Sequence, residues 1–336
     1  MTDRPFGTLA DGTPIRAVDI AHGGLRATIL TYGAVVQDIR LDGVPHPLVL
    51  GFDSIEGYLR NPSYFGAVAG RFANRIGKGR FTLDGATWQL STNDGDNHLH
   101  GGAAGFGTRS WKLVGSTPSS VTLGIVGEDG ENGYPGRVEV ELTYSVEAPA
   151  TLCTSLRATT DKATIVNLAQ HSYFNLDGTG TIRDHELTIP AETYLPVDSG
   201  KIPTGAFAPV SGTPFDFRAG RRIGEGFDDV VDLYDHNLVV ERTKTGEIHP
   251  LARLVSAKSG VFLDVTSTEP GVQFYGGQMI GCRDAGINGE VYGPNAGLCL
   301  EAQLFPDAPN HADFPSALLR PGEEYRQETL FSFGRI

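Results

Sequence analysis

Arg137-Val138-Glu139-Val140-Glu141-Leu142-Thr143-Tyr144 alternates polar and apolar residues without a break. Side chains of a strand point to opposite faces in turn, so this run buries one face and wets the other. Ala27-Thr28-Ile29-Leu30, Ala34-Val35-Val36, Ser120-Val121-Thr122-Leu123-Gly124-Ile125-Val126, Val261-Phe262-Leu263-Asp264-Val265 and Leu330-Phe331-Ser332-Phe333 also read as strands. Turn pairs separate such runs: Asp11-Gly12, Asp42-Gly43, Asp84-Gly85, Asp129-Gly130 and Asp177-Gly178. Helical periodicity is scarce. Ser54-Ile55-Glu56-Gly57-Tyr58-Leu59 reads as one or two turns capped by Ser54. A parallel sheet needs long crossover helices, and none is present. The expectation is an all-β fold with few short helices, built as a large antiparallel β-sandwich or a barrel. With no linker, low-complexity tract or repeat, residues 1–336 read as a single domain.

Composition agrees. The chain holds 44 Gly and 20 Pro in 336 residues, about 19%, against roughly 12% in average chains. Hydrophobic residues make up 40%, enough for a substantial core. The net charge of -13 disfavours nucleic acid and anionic membrane surfaces as partners. One local exception, Arg71, Arg75, Lys78 and Arg80, reads either as a phosphate-binding loop or as a solvated turn. Cys153, Cys282 and Cys299 form no close pair, which argues against a disulfide scaffold or a CxxC metal site. Cys153 and Cys299, set among apolar neighbours, read as buried thiols. No apolar run follows Met1-Thr2-Asp3-Arg4-Pro5 and no window approaches 18 apolar residues, so a cytoplasmic, soluble protein is expected.

Three polar clusters carry the chemistry: Asn97-His98-Leu99-His100-Gly101-Gly102, Gln170-His171-Ser172-Tyr173-Phe174-Asn175 and Cys299-Leu300-Glu301-Ala302-Gln303. Thr164 to His171 looks like one strand, with Ile165, Asn167, Ala169, His171 and Tyr173 on one face. That face turns from apolar to polar, as a strand leading from core to cleft would. His171 is then an acid or base, or a hydrogen-bonded core histidine. Glu301 lies opposite Leu298 and Leu300. It is either in a structural ion pair or a general base with a raised pKa. His98 and His100 would share a strand face, which suits a metal, but no acidic ligand follows; the glycines after them suit close approach of backbone to a ligand. Asp235, in Val231-Asp232-Leu233-Tyr234-Asp235-His236-Asn237, and Gln273, in Gly271-Val272-Gln273-Phe274-Tyr275, offer hydroxyl partners or merely turn residues.

Taken in order, these segments resemble the aldose 1-epimerase (galactose mutarotase) family. The matching pieces are residues 65–76 (Phe65 to Ile76, with Gly70-Arg71-Phe72-Ala73-Asn74-Arg75), Leu99-His100-Gly101-Gly102, residues 129–136, residues 167–176, residues 191–198, Tyr234-Asp235-His236-Asn237, residues 270–275, Leu298-Cys299-Leu300-Glu301 and residues 319–325. Nine pieces in the right order are very specific. The resemblance implies a galactose mutarotase-like supersandwich with a sugar cleft on one sheet. It implies interconversion of the anomers of free hexoses such as galactose and glucose, with no cofactor and no metal. His171 would be the acid and Glu301 the base. Asn74, Arg75, His100, Tyr173, Asp235 and Gln273 would bind the sugar. Two departures stand out: Gln170 where the family often has Asn, and Gly276-Gly277-Gln278 at what would be the cleft rim.

On this reading the partners are small aldoses, and the protein works as a monomer or homodimer. Activity would fall at low pH as Glu301 protonates and at high pH as His171 loses its proton. Two alternatives remain. A hexose-6-phosphate 1-epimerase would need extra cations at the cleft, for which the Arg71–Arg80 stretch is the candidate. A non-catalytic sugar-binding module would need no matched acid and base.

Overall fold

The computed structural model of the protein describes residues 2–226 and 234–336. Val231, Asp232 and Leu233, the run before Asp235, lie outside the described residues. The alternating stretch forms the strand Val138–Glu147, with every second side chain buried. It lies in a nine-stranded sheet whose order is Lys112–Thr117, Ser120–Gly127, Val138–Glu147, Thr151–Thr160, Tyr325–Arg335, Val261–Ser267, His249–Ser256, Glu186–Thr188, Arg221–Arg222. Among the described residues, every strand pairing in the three larger sheets is antiparallel. The C-terminal strand Tyr325–Arg335 is central, pairing with Thr151–Thr160 on one side and Val261–Ser267 on the other.

Two smaller sheets cover this layer. A four-stranded meander runs Asp3–Thr8, Pro14–His22, Leu25–Leu30, Val36–Leu41. A five-stranded sheet has the order Ala208–Pro209, Thr193–Tyr194, Asp235–Val239, Gly271–Tyr275, Cys299–Gln303. One apolar core joins all three, with Val18 and Ile29 from the first, Leu142 and Phe333 from the nine-stranded sheet, and Leu238, Phe274 and Leu300 from the last. Tyr144 reaches across it, its hydroxyl donating to the Ala34 carbonyl at 2.8 Å. The helix expected near Ser54 spans Ile55–Arg60, and the Ser54 hydroxyl accepts from Gly57 N–H.

Two strand expectations need correction. Ala34 and Val35 belong to the connection between strands: Gly33 and Ala34 have φ of 61° and 50°, and pairing resumes at Val36. The run from Thr164 to His171 is not one strand. Thr164–Ile165 pairs with Leu318–Leu319, whereas Ala169–His171 pairs with Ala67–Ala69. A bridge between Phe72 and Asn167 fills the interval. The alternation itself survives: Val166 and Leu168 enter the main core, and Ile165 and Ala169 pack on the other side.

Candidate active site

In the five-stranded sheet Asn237 pairs with Gln273 and Gln273 with Glu301, while Asp235 pairs with Tyr275 and Tyr275 with Cys299. Period two therefore puts Asp235, Gln273 and Glu301 on the face away from Leu238, Phe274 and Leu300. Asp235 and Glu301 floor a cleft of about 300 Å³, and Gln273 lies between them in the sheet. Gln273 Nε2 donates to Asp235 Oδ1 at 2.7 Å. The strand Ala169–His171 supplies the wall. His171 Nε2 stands 3.7 Å from Glu301 Oε1, and its Nδ1 lies 3.4 Å from Cys299 Sγ. Tyr173 packs its ring beside His171 and donates to the Ser63 carbonyl at 3.0 Å.

The third wall is built by mutual bonding. Asn74 N–H donates to His100 Nδ1 at 3.1 Å, and His100 N–H donates to the Asn74 carbonyl at 3.0 Å. The residue between the two histidines, Leu99, pairs with Arg75. His100 itself turns out of the strand with φ of 50°, so the two histidines do not share a face. His98 is structural: its ring nitrogens contact the Ser91 carbonyl and the Tyr134 hydroxyl, each at 2.6 Å. Of the glycines after His100, Gly101 lies against protein backbone and Gly102 against the side chains of Ser91 and Asn132. A Cβ on Gly101, whose φ is 89°, would sit 1.8 Å from the Gly70 carbonyl oxygen.

The basic stretch disperses. Arg71 is buried and its guanidinium donates to the carbonyls of Pro135, Gly136 and Glu128. Lys78 and Arg80 are exposed and do not line the cleft. Arg75 alone reaches it. There Nε donates to Asp94 at 2.7 Å and Nη1 lies 3.7 Å from Asp235. All eight expected site residues are thus brought together. Tyr64, whose ring lies 4.6 Å from His100 and 5.9 Å from His171, and Asp94 join them unforeseen. Both sit in loops, where no alternation assigns a face. Met279 and Ile280, just past Gly276-Gly277-Gln278, form part of the rim.

Burial governs the electrostatics. It pushes the Glu301 carboxyl well above the usual range, helped by Asp235 and opposed by Arg75. It pushes His171 down to about 4 and His100 well below an ordinary histidine. Burial thus favours the uncharged form of each partner, carboxylic acid and neutral imidazole, the reverse of the assignment expected from ordinary pKa values. Glu301 Oε2 and Gln273 Oε1 are buried without a hydrogen-bond partner among the described residues, which suits them to meet hydroxyls.

His100, His171 and Glu301 could be taken for a metal site, since their ligand atoms lie within 4.8 Å of one another. His100 argues otherwise. Its Nδ1 lone pair already accepts Asn74 N–H, so the neutral ring carries its proton on Nε2 and offers the cleft a donor. A metal needs that nitrogen's lone pair.

A sequence profile described as aldose 1-epimerase matches residues 16–332. Galactose mutarotase of Mus musculus is 43% identical to the chain, with 99% of this chain and 98% of that protein covered. Aldose 1-epimerase of Escherichia coli is 37% identical, with 96% of each covered. Among solved structures, the GalM/aldose epimerase homologue from C. elegans superposes with a TM-score of 0.89 at 34% identity, covering 95% of this chain and 99% of that one. Galactose 1-epimerase from Lactobacillus acidophilus gives a TM-score of 0.87 at 28% identity, covering 100% and 99%.

Proposed function

The chain belongs to the aldose 1-epimerase family, and from that membership and the cleft we propose that it interconverts the α and β anomers of free aldoses, galactose and glucose among them. The observation that carries the reading is the 3.7 Å spacing of one imidazole and one carboxyl in a buried cleft. Ring opening moves two protons at two oxygens on the same carbon, so acid and base must stand together. Glycosidases instead set two carboxyls about 5–9.5 Å apart.

In the proposed reaction Glu301, as carboxylate, takes the proton of the C1 hydroxyl. His171, as imidazolium, gives its proton to the ring oxygen. The bond from C1 to the ring oxygen breaks, and C1 becomes an aldehyde. Rotation about C1–C2 presents the other face, and closure returns both protons. The open-chain stage leaves Glu301 protonated and His171 neutral. Burial favours that pairing of protonation states. The Nε2–H of His100 is suited to donate to a ring or anomeric oxygen. Arg75, Asp235 and Gln273 would hold the remaining hydroxyls, with Asn74 fixing His100 and Tyr173 bracing His171.

Polarimetry of freshly dissolved α-D-galactose and α-D-glucose tests this. The protein should speed relaxation to the same final rotation. Glu301→Gln and His171→Ala should each lose about 10²–10⁴-fold in rate while keeping the wild-type circular dichroism. Near-normal turnover in either folded variant would reject its role. Sugar binding without acceleration would favour a binding module.

No helix among the described residues is long and apolar enough to cross a membrane. We read the chain as one domain acting on small sugars in the cytoplasm, as a monomer or homodimer.

A further inference from the structure

The cleft holds more negative charge than ring opening uses. Among the described residues lining it, Arg75 is the one cation, against the carboxylates of Asp94 and Asp235. Asp94 has no part in the proton transfers. Its carboxylate accepts from Arg75 Nε at 2.7 Å, on the opposite side of the guanidinium from Asp235. It is also the outermost of the three charges, 37% exposed where Arg75 is 14% and Asp235 16%.

The loop that carries Asp94 is firmly tied. Asp94 N–H donates to the Asn97 carbonyl at 3.1 Å, and Asn97 N–H returns the bond at 3.0 Å. The Asn97 side chain accepts from Lys78 N–H at 2.9 Å and donates to the Gly200 carbonyl at 3.2 Å. The Asn93 side chain closes on both backbone groups of Leu99, next to His100. The carboxylate is thus held against Arg75 by the same segment that carries His100.

We propose that Asp94 is a specificity residue that selects uncharged sugars by neutralising Arg75 at the cleft mouth. The inference rests on the ring-opening reading above. With Nε occupied, the guanidinium still has Nη hydrogens for a sugar hydroxyl, and it is held in one orientation. What it lacks is a net positive field. A phosphate or carboxylate on the sugar meets a mouth whose single cation lies between two carboxylates, and like charges at this range disfavour binding.

The test compares kcat/KM for α-glucose and α-glucose 6-phosphate in the wild type, Asp94→Asn and Asp96→Asn, the last an exposed acid of the same loop. The wild type should prefer glucose. Asp94→Asn should shift the ratio toward the phosphate by about tenfold at low salt, with a smaller shift near 0.5 M salt; Asp96→Asn should move it little. A proportional loss on both sugars in Asp94→Asn would leave Asp94 as an Arg75 brace only and overturn the proposal. So would an equal shift in Asp96→Asn, or a wild type indifferent to the phosphate. A wild type that speeds neither sugar would instead remove the ring-opening reading itself.

Discussion

Glu301 and His171 share one mobile proton, and their burial decides where pH acts. Because burial lowers His171 to about 4 and raises Glu301, it widens the pH range of the one-proton form upward from about 4. Its two arrangements differ only in which residue holds the proton, so their ratio does not change with pH. The rate should therefore be level around pH 7. It should fall near pH 4 as His171 takes a second proton, and fall again on the alkaline side as Glu301 gives up the last one. Ordinary pKa values lead to the opposite assignment of limbs and to a change near pH 6.5. Initial mutarotation rates between about pH 4 and 9, corrected for the buffer's own catalysis, distinguish the two. A titration centred near 6.5 would reject the burial argument. The identities of these residues stand out in the sequence. Their protonation does not, because it depends on the three segments that desolvate them together.

At the scale of elements, the strands with one wet face were legible and the segments buried on both sides were not. Val138–Glu147 and Ser120–Gly127 keep a period of two because solvent lies along one face. Thr164 to His171 reads as one strand, yet its pairing breaks because both faces are covered and two separate segments, residues 67–72 and 318–319, bond to it. Arg71 reads as a surface cation, but four carbonyl and hydroxyl acceptors brought by remote segments bury it. The His100 connection shows how tightly such loops fit. Gly101→Ala combines a left-handed φ with a collision against backbone and should cost about 3 kcal/mol or more, with a raised KM as His100 shifts. Gly12→Ala has a similar φ and open space around it, and should cost only about 1 kcal/mol. Urea unfolding of both variants checks the contrast; equal costs would show that φ alone matters.

The whole molecule closes around its own end. Residues from Val18 to Phe333 meet in one apolar core, and the cleft draws on segments from Pro62 to Glu301. A chain ending at Gly322 would lack Tyr325–Arg335, leaving Thr151–Thr160 and Val261–Ser267 without their shared partner. It should show no cooperative thermal transition and no mutarotase activity; a sharp melt would mean that the halves of the large sheet are separately stable. The same arrangement sets a delay during synthesis. Thr160 is made 165 residues before Tyr325, which at ribosomal speeds is roughly 10–30 s. For that interval the nascent chain carries unpaired strand edges, a template for association with its neighbours on a polysome. Yield in the cell will then depend on what shields those edges during translation as well as on the stability of the finished fold.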